Sequence, residues 1–212
     1  MIRLAIFDLD GTLVDSKLDL CNAVNHALRT LRLPELALEE VSAFVGEGAA
    51  RLIERAVAPR YDLKDRVLRA WFQYYEEHLL DETVLYPGLA ALLARARIPL
   101  AVHTNKPGRL ARRILSGLGV RHFFVEVVGG DEAARKPDPE GTRAILHRQR
   151  VPADEAVFVG DSLVDQATAR AVPIPFVAVG WGLARPGLLR TAGAPEPVRN
   201  ALELAAALGI EA

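Results

Sequence analysis

This chain is poor in several residue types, and each shortage narrows what it can be. It has one cysteine in 212 residues, Cys21, so neither an intrachain disulfide nor a multi-cysteine metal site is open to it. It lacks a long apolar run. The N-terminal run Leu4–Phe7 is broken at once by Asp8 and Asp10, which fits neither a signal peptide nor a membrane span. A cytoplasmic location and no membrane partner are therefore expected. It also lacks an excess of one charge. The 26 basic and 27 acidic residues leave a net charge of −1, so a surface built for phosphate backbones, and hence a nucleic-acid partner, is not expected. Lysine is scarce in its own way: there are only Lys17, Lys64, Lys106 and Lys136, against 22 arginines. Codon bias accounts for such a skew in general, but it makes each remaining lysine worth locating.

What the chain has in quantity is apolar residues, 50% of the total, too many for disorder and enough for a buried core. Five short runs read as strands covered on both faces: Leu4–Phe7, Leu100–His103, Phe124–Val128, Val157–Val159 and Phe176–Val179. Helical spacing fills the gaps between the later ones, at Arg109–Leu118, Glu140–Arg150 and Leu163–Ala171. Strands alternating with helices predict an α/β fold with a doubly wound parallel sheet. From about Asp15 to Asp81 the pattern changes to three helices and no strand, the first traced by Leu18, Cys21, Val24 and Leu28. The expected organisation is therefore a core of residues 1–14 and 82–212, interrupted by an all-helical module at 15–81. Glycine and proline at 180–197, Pro186 among them, predict a long loop before a last helix at 198–208.

In open α/β sheets ligands bind beyond the carboxyl ends of the strands. The residues standing there are Asp8-Leu9-Asp10-Gly11-Thr12, Thr104-Asn105-Lys106, Lys136-Pro137-Asp138-Pro139 and Gly160-Asp161-Ser162-Leu163-Val164-Asp165. Carboxylates crowded on one edge repel unless a cation or substrate compensates them. Oxygen donors without sulfur or nitrogen favour a hard cation such as Mg²⁺. A cation beside a lysine clamps a phosphoryl group, one carboxylate can attack phosphorus, and a second can move the proton.

Those four motifs, in order and each at a strand end, resemble those of the haloacid dehalogenase superfamily of phosphohydrolases. The resemblance implies that Asp8 is the nucleophile and Asp10 the general acid and base. It implies that Asp8, the Asp10 carbonyl and Asp161 hold Mg²⁺, with Asp165 supporting Asp161 or a metal-bound water. Thr104 and the Asn105 amide would hold phosphoryl oxygens, and Lys136 would neutralise the cluster. The helical module is similar to the superfamily's small cap. Within it, Phe44-Val45-Gly46-Glu47-Gly48 and the helix after it resemble the cap of phosphoglycolate phosphatases, which implies a substrate-binding set of Gly46, Glu47, Gly48 and Arg51, with Arg55 as a second candidate. One departure is Ala171-Val172-Pro173, where that subfamily has Ala-Gly.

The expected partner is a small phosphorylated metabolite, on a monomer or homodimer. Asp10 favours a phosphatase or a phosphomutase, since dehalogenases and phosphonatases lack an acid/base Asp there and transport ATPases carry Thr, and the cap loop resembles the phosphatase type. Phosphoglycolate is the first substrate expected. A sugar phosphomutase, a pyrophosphatase and a phosphate-binding regulator without turnover are the alternatives. Lys106 reads as a solvated loop residue near the cap, Lys17 and Lys64 as facing water, and His103 as a structural histidine on its strand.

Overall fold

The computed structural model describes residues 1–183 and 187–211. In chain order the strands and α-helices are β1 (Leu4–Phe7), β2 (Val14–Asp15), α1 (Lys17–Thr30), α2 (Leu38–Ser42), α3 (Ala49–Ala56), α4 (Lys64–Glu77), β3 (Val84–Leu85), α5 (Leu89–Arg95), β4 (Leu100–His103), α6 (Gly108–Gly117), β5 (Phe124–Val128), α7 (Glu140–Gln149), β6 (Ala156–Gly160), α8 (Leu163–Ala171), β7 (Phe176–Ala178), α9 (Leu188–Thr191) and α10 (Ala201–Leu208).

Five strands form one parallel sheet in the order β5-β4-β1-β6-β7. The chain builds outward from β1 to one side through β4 and β5, then to the other through β6 and β7. That reversal makes β1 the switch point, where a crevice opens at the carboxyl ends of the strands. Every residue of β1 is buried. Leu4 and Ile6 pack into the cluster with Phe158 and Ile145 on one face, and Ala5 and Phe7 into the larger cluster on the other. A strand covered on both faces needs no polar alternation, which is why β1 reads as a plain apolar run.

The larger cluster continues into the helical segment, through Val24 and Leu28 of α1, Ile53 of α3 and Trp71 and Tyr75 of α4. Between β1 and this segment lies a feature absent from the sequence reading. Val14–Asp15 pairs antiparallel with Val84–Leu85, so a two-stranded ribbon carries the chain out and back. The expectation of no strand from Asp15 onward is corrected at its first residue, because two-residue strands have no periodicity to detect. The short helices α2 and α5 also went unread. The expected loop at 180–197 contains α9, the last helix starts at Ala201, and Pro186 lies outside the described residues.

One carboxylate ties the ribbon's two crossings. Asp19, buried in the first turn of α1, accepts the backbone N–H of Glu82 at 3.0 Å, the N–H of Thr83 at 2.8 Å and the Thr83 hydroxyl at 2.6 Å. Removing the acceptor strands these donors, and hydrogen bonds to a charged group contribute about 1.5–3 kcal/mol. Asp19→Ala is expected to lose about that much stability in urea unfolding, and an unchanged midpoint would show that the tie carries no weight.

Candidate active site

Strand ends bring the sequence motifs together. Asp8 follows β1, Thr104 to Lys106 follow β4, Lys136 lies in the loop after β5, and Asp161 follows β6; all are buried. Lys136 Nζ stands 2.7 Å from Asp8 Oδ1 and 2.6 Å from Asp165 Oδ1. Burial disfavours its ammonium, but Asp165 and Asp8 more than offset this, and its pKa is raised. Asp165 is fully committed. Its Oδ1 accepts Lys136, and its Oδ2 accepts the Ser162 hydroxyl at 2.6 Å and the Ser162 N–H at 3.1 Å, while Ser162 Oγ caps α8 by accepting the Asp165 N–H. Asp165 thus orients Lys136 from the first turn of a helix.

Asp8 is under-compensated. Burial, then the neighbouring Asp165, push its pKa up against the pull of Lys136, with Asp161 adding to the rise, to about 8. Its Oδ1 touches Lys136 without hydrogen-bond alignment and is a buried oxygen lacking any directed donor. Carboxylate oxygens of Asp8, Asp161 and Asp165 lie within 4.8 Å of one another. With Asp165 held by Lys136 and Ser162, Asp8 and Asp161 are the carboxylates suited to a metal. The Asp10 carbonyl, which accepts no hydrogen bond from a described residue, can join them. An all-oxygen set of buried carboxylates facing a single ammonium fits a hard divalent cation.

The loop after β1 is shaped around Asp161. Gly11 adopts φ +84°, and a Cβ there would lie 2.3 Å from Asp161 Oδ2. Only glycine permits both the turn and the approach. Thr12 donates to Asp161 Oδ1 at 3.1 Å, and the Leu183 N–H donates to Oδ2 at 2.8 Å.

Lys106 departs from its expectation. It is buried rather than solvated. Its Nζ donates to the Tyr75 hydroxyl at 2.6 Å and lies 3.1 Å from Asp10 Oδ1. Burial opposes its charge, yet Asp10 and Tyr75 outweigh that and raise its pKa. Asp10 Oδ1 also accepts the Ser16 hydroxyl at 2.6 Å. The acid/base candidate is thus held from the sheet edge and, through Lys106, from α4. Spacing gave no sign of this, because Tyr75 sits on α4 as one more member of an apolar face. The scarcity of lysine was the one available hint.

Asn105 joins three segments. Its amide donates to the Gly46 carbonyl at 2.9 Å and the Lys136 carbonyl at 3.0 Å and accepts the Lys136 N–H at 2.8 Å. The side chain is spent on structure. The Asn105 backbone N–H donates to no described residue. The Thr104 hydroxyl accepts the Lys106 N–H at 3.2 Å and keeps its own proton to donate. Gly46 and Gly48 line the cavity over Asp8 and Asp10; Gly48 has φ +86°, and a Cβ there would sit 3.2 Å from the Asn105 carbonyl. Glu47 and Arg55 pair with each other on the flank of a second cleft that also reaches Asp8 and Asp10. Arg51 is not brought to the site: it is exposed on α3 and paired with Glu54 at 2.8 Å. Ala49 and Leu52 fill the inward positions beside it, so helical phase turns Arg51 outward.

The remaining residues fall outside the cavity. His103 is buried, bonded to the Thr142 hydroxyl at 2.8 Å, and pushed down to about 3, by burial first and Lys136 second, so it is neutral. Lys17 and Lys64 are partly exposed and pair with Asp15 and Glu54.

The raised Asp8 pKa sets a pH dependence. A carboxyl that holds its proton more tightly when folded stabilises the fold at low pH, and that contribution is lost as pH rises. The metal-free protein is expected to lose stability from about pH 4 to about 8, and Asp8→Asn to flatten this stretch of the curve. Equal slopes in the two proteins, read by thermal unfolding across pH, would contradict the placement of Asp8.

Comparison with known proteins agrees with this geometry. The sequence model for haloacid dehalogenase-like hydrolases matches residues 5–179. A phosphoglycolate phosphatase of Rhodospirillum rubrum is 42% identical over 198 residues, 87% of this chain and 82% of that one. Another, from Chromobacterium violaceum, is 39% identical over 215 residues, 96% and 95% of the two chains. The crystal structure of a predicted phosphoglycolate phosphatase from Haemophilus somnus superposes with a TM-score of 0.82 at 32% identity, covering 85% of this chain and 86% of that one. A haloacid dehalogenase-like family hydrolase from Streptococcus pneumoniae gives 0.89 at 25% identity, covering 97% and 98%. With the family model matching residues 5–179 and relatives 42% and 39% identical over most of both chains, the chain belongs to the haloacid dehalogenase-like hydrolase family.

Proposed function

We propose that the chain is a Mg²⁺-dependent phosphatase that hydrolyses a small phosphomonoester, 2-phosphoglycolate first, through a phosphoryl group carried on Asp8. The observation that carries this reading is Asp8 itself: a buried carboxylate at the switch point, in ion contact with Lys136, with one oxygen lacking a directed donor. Asp8 attacks phosphorus while the bond from phosphorus to the leaving oxygen breaks. Asp10 delivers its proton to that oxygen. Asp10 then takes a proton from water, the water oxygen attacks the phosphorus, the bond from phosphorus to Asp8 breaks, and inorganic phosphate leaves. The Thr104 hydroxyl and the Asn105 N–H hold the phosphoryl oxygens, and Lys136, fixed by Asp165, balances the charge. Mg²⁺, held by Asp8, Asp161 and the Asp10 carbonyl, would supply further neutralisation of carboxylates and phosphoryl group.

The helical residues within 15–81 serve as a cap over this edge. Gly46 and Gly48 bring its loop to the cavity, and Asn105 fastens that loop to the core. Shielding from water strengthens every charge interaction inside. The names of the relatives point to 2-phosphoglycolate as the substrate.

The test is phosphate release from a panel holding 2-phosphoglycolate, pyrophosphate, hexose phosphates and an aryl phosphate. Turnover is expected to need Mg²⁺, to vanish with chelator, and to be fastest on 2-phosphoglycolate. Asp8→Asn is expected to lower it by about 10³-fold or more in a folded protein. Lys136→Arg is expected to cost about tenfold or more, because a planar guanidinium does not fit the slot between Asp8 and Asp165. No release from any panel member, or full turnover in Asp8→Asn, would contradict the proposal.

A further inference from the structure

The cavity over Asp8 and Asp10 holds two unused donors. Trp71, on α4, lines it, is 2% exposed, and its indole N–H has no acceptor among the described residues. Lys106 lines it too. An ammonium has three N–H donors, and among the described residues two acceptors stand against this one, the Tyr75 hydroxyl and Asp10 Oδ1. The two donors are held by one aromatic pair. Trp71 stacks on Tyr75 with ring centroids 4.6 Å apart and 26° between planes, and Tyr75 is the partner of Lys106.

The other side chains of this wall, Leu20, Val45 and Leu52, are apolar, so beside Trp71 and Lys106 it offers an anion only the backbone N–H groups of Gly46, Gly48 and Ala49. Two arginines of α3 are occupied, Arg51 with Glu54 and Arg55 with Glu47. A buried donor without an acceptor costs free energy, and an incoming acceptor recovers it. Thr104 and Asn105, which precede Lys106 directly, define the phosphoryl end of the cavity. Lys106 and Trp71 line the same cavity and are the side-chain donors left for a second anionic group one or two carbons from the phosphoryl group.

We infer that Trp71 Nε1–H and the third N–H of Lys106 bind the carboxylate of the substrate, and so select small phosphomonoesters that carry an acid group. Lys106 supplies the charge and Trp71 the direction, since indole offers a single donor on a rigid ring. This rests on the phosphatase reading and names the feature by which that site chooses its substrate.

The experiment compares 2-phosphoglycolate with ethyl phosphate, which has the same two-carbon skeleton without the carboxylate, in wild type and Trp71→Phe. Phenylalanine keeps a ring on Tyr75 and removes the donor. The preference for 2-phosphoglycolate, as the ratio of kcat/KM values, is expected to fall about tenfold or more in Trp71→Phe, mainly through KM. An unchanged ratio in a folded variant overturns the inference while leaving the phosphatase reading in place. A second measurement is independent of turnover. Glycolate is titrated into both proteins with tryptophan fluorescence as the readout. A change present in wild type and absent in Trp71→Phe, where Trp181 alone remains, supports the inference; the same change in both, or none in wild type, overturns it. If wild type shows no turnover of 2-phosphoglycolate, the phosphatase reading fails, and the glycolate titration decides the inference alone.

Discussion

Lys136 is an ammonium sealed between two carboxylates, and the remainder of the site depends on it. Asp8 and Asp165 would repel each other across the end of the sheet without it. Leaving one charge of such a buried pair uncompensated costs about 3–5 kcal/mol, which ties the electrostatics of the site to the integrity of the fold. The compensation is incomplete. Two carboxylates and Asp161 face a single ammonium, and the surplus appears as the raised pKa of Asp8. The same deficit gives the site a use for a cation.

Much of this was legible in the chain because the sheet is of the buried parallel kind. A strand such as Leu4–Phe7 announces itself by being wholly apolar, and the first polar residue after it is by topology at the ligand edge. Asp8, Thr104 and Asp161 follow from that rule, and Lys136 from its place in the loop after β5. The illegible parts share a physical reason: they depend on contacts far apart in sequence or on elements too short to have a period. The ribbon of Val14–Asp15 with Val84–Leu85 is two residues wide. The pairing of Asp19 with Thr83 spans most of the helical segment. Arg51 was drawn to the site by resemblance, whereas the phase of α3 presents Ala49 and Leu52 inward and leaves Arg51 with Glu54 in solvent.

The lysine shortage gains meaning from the same contrast. Of the four lysines, Lys17 and Lys64 make partly exposed pairs in which an arginine would serve. Lys106 and Lys136 are both buried, each with a carboxylate of the first motif, Asp10 and Asp8 respectively. A compact ammonium with three rotatable donors can enter such a slot where a broad planar fork cannot. The pair also divides the labour of the site. Lys136 is anchored wholly within the α/β core, through Asp165 on α8. Lys106 reaches across to Tyr75 on α4, so the environment of Asp10 depends on where the helical segment sits.

The central claim is that Asp8 carries the phosphoryl group. The most direct measurement is acid quenching of the enzyme during turnover, followed by mapping of the phosphorylated peptide by mass spectrometry. The account predicts one phosphoryl group on the peptide containing Asp8, absent when substrate or metal is withheld. A phosphoryl group on any other residue would contradict it, as would turnover with no adduct at Asp8 under conditions that trap acyl phosphates.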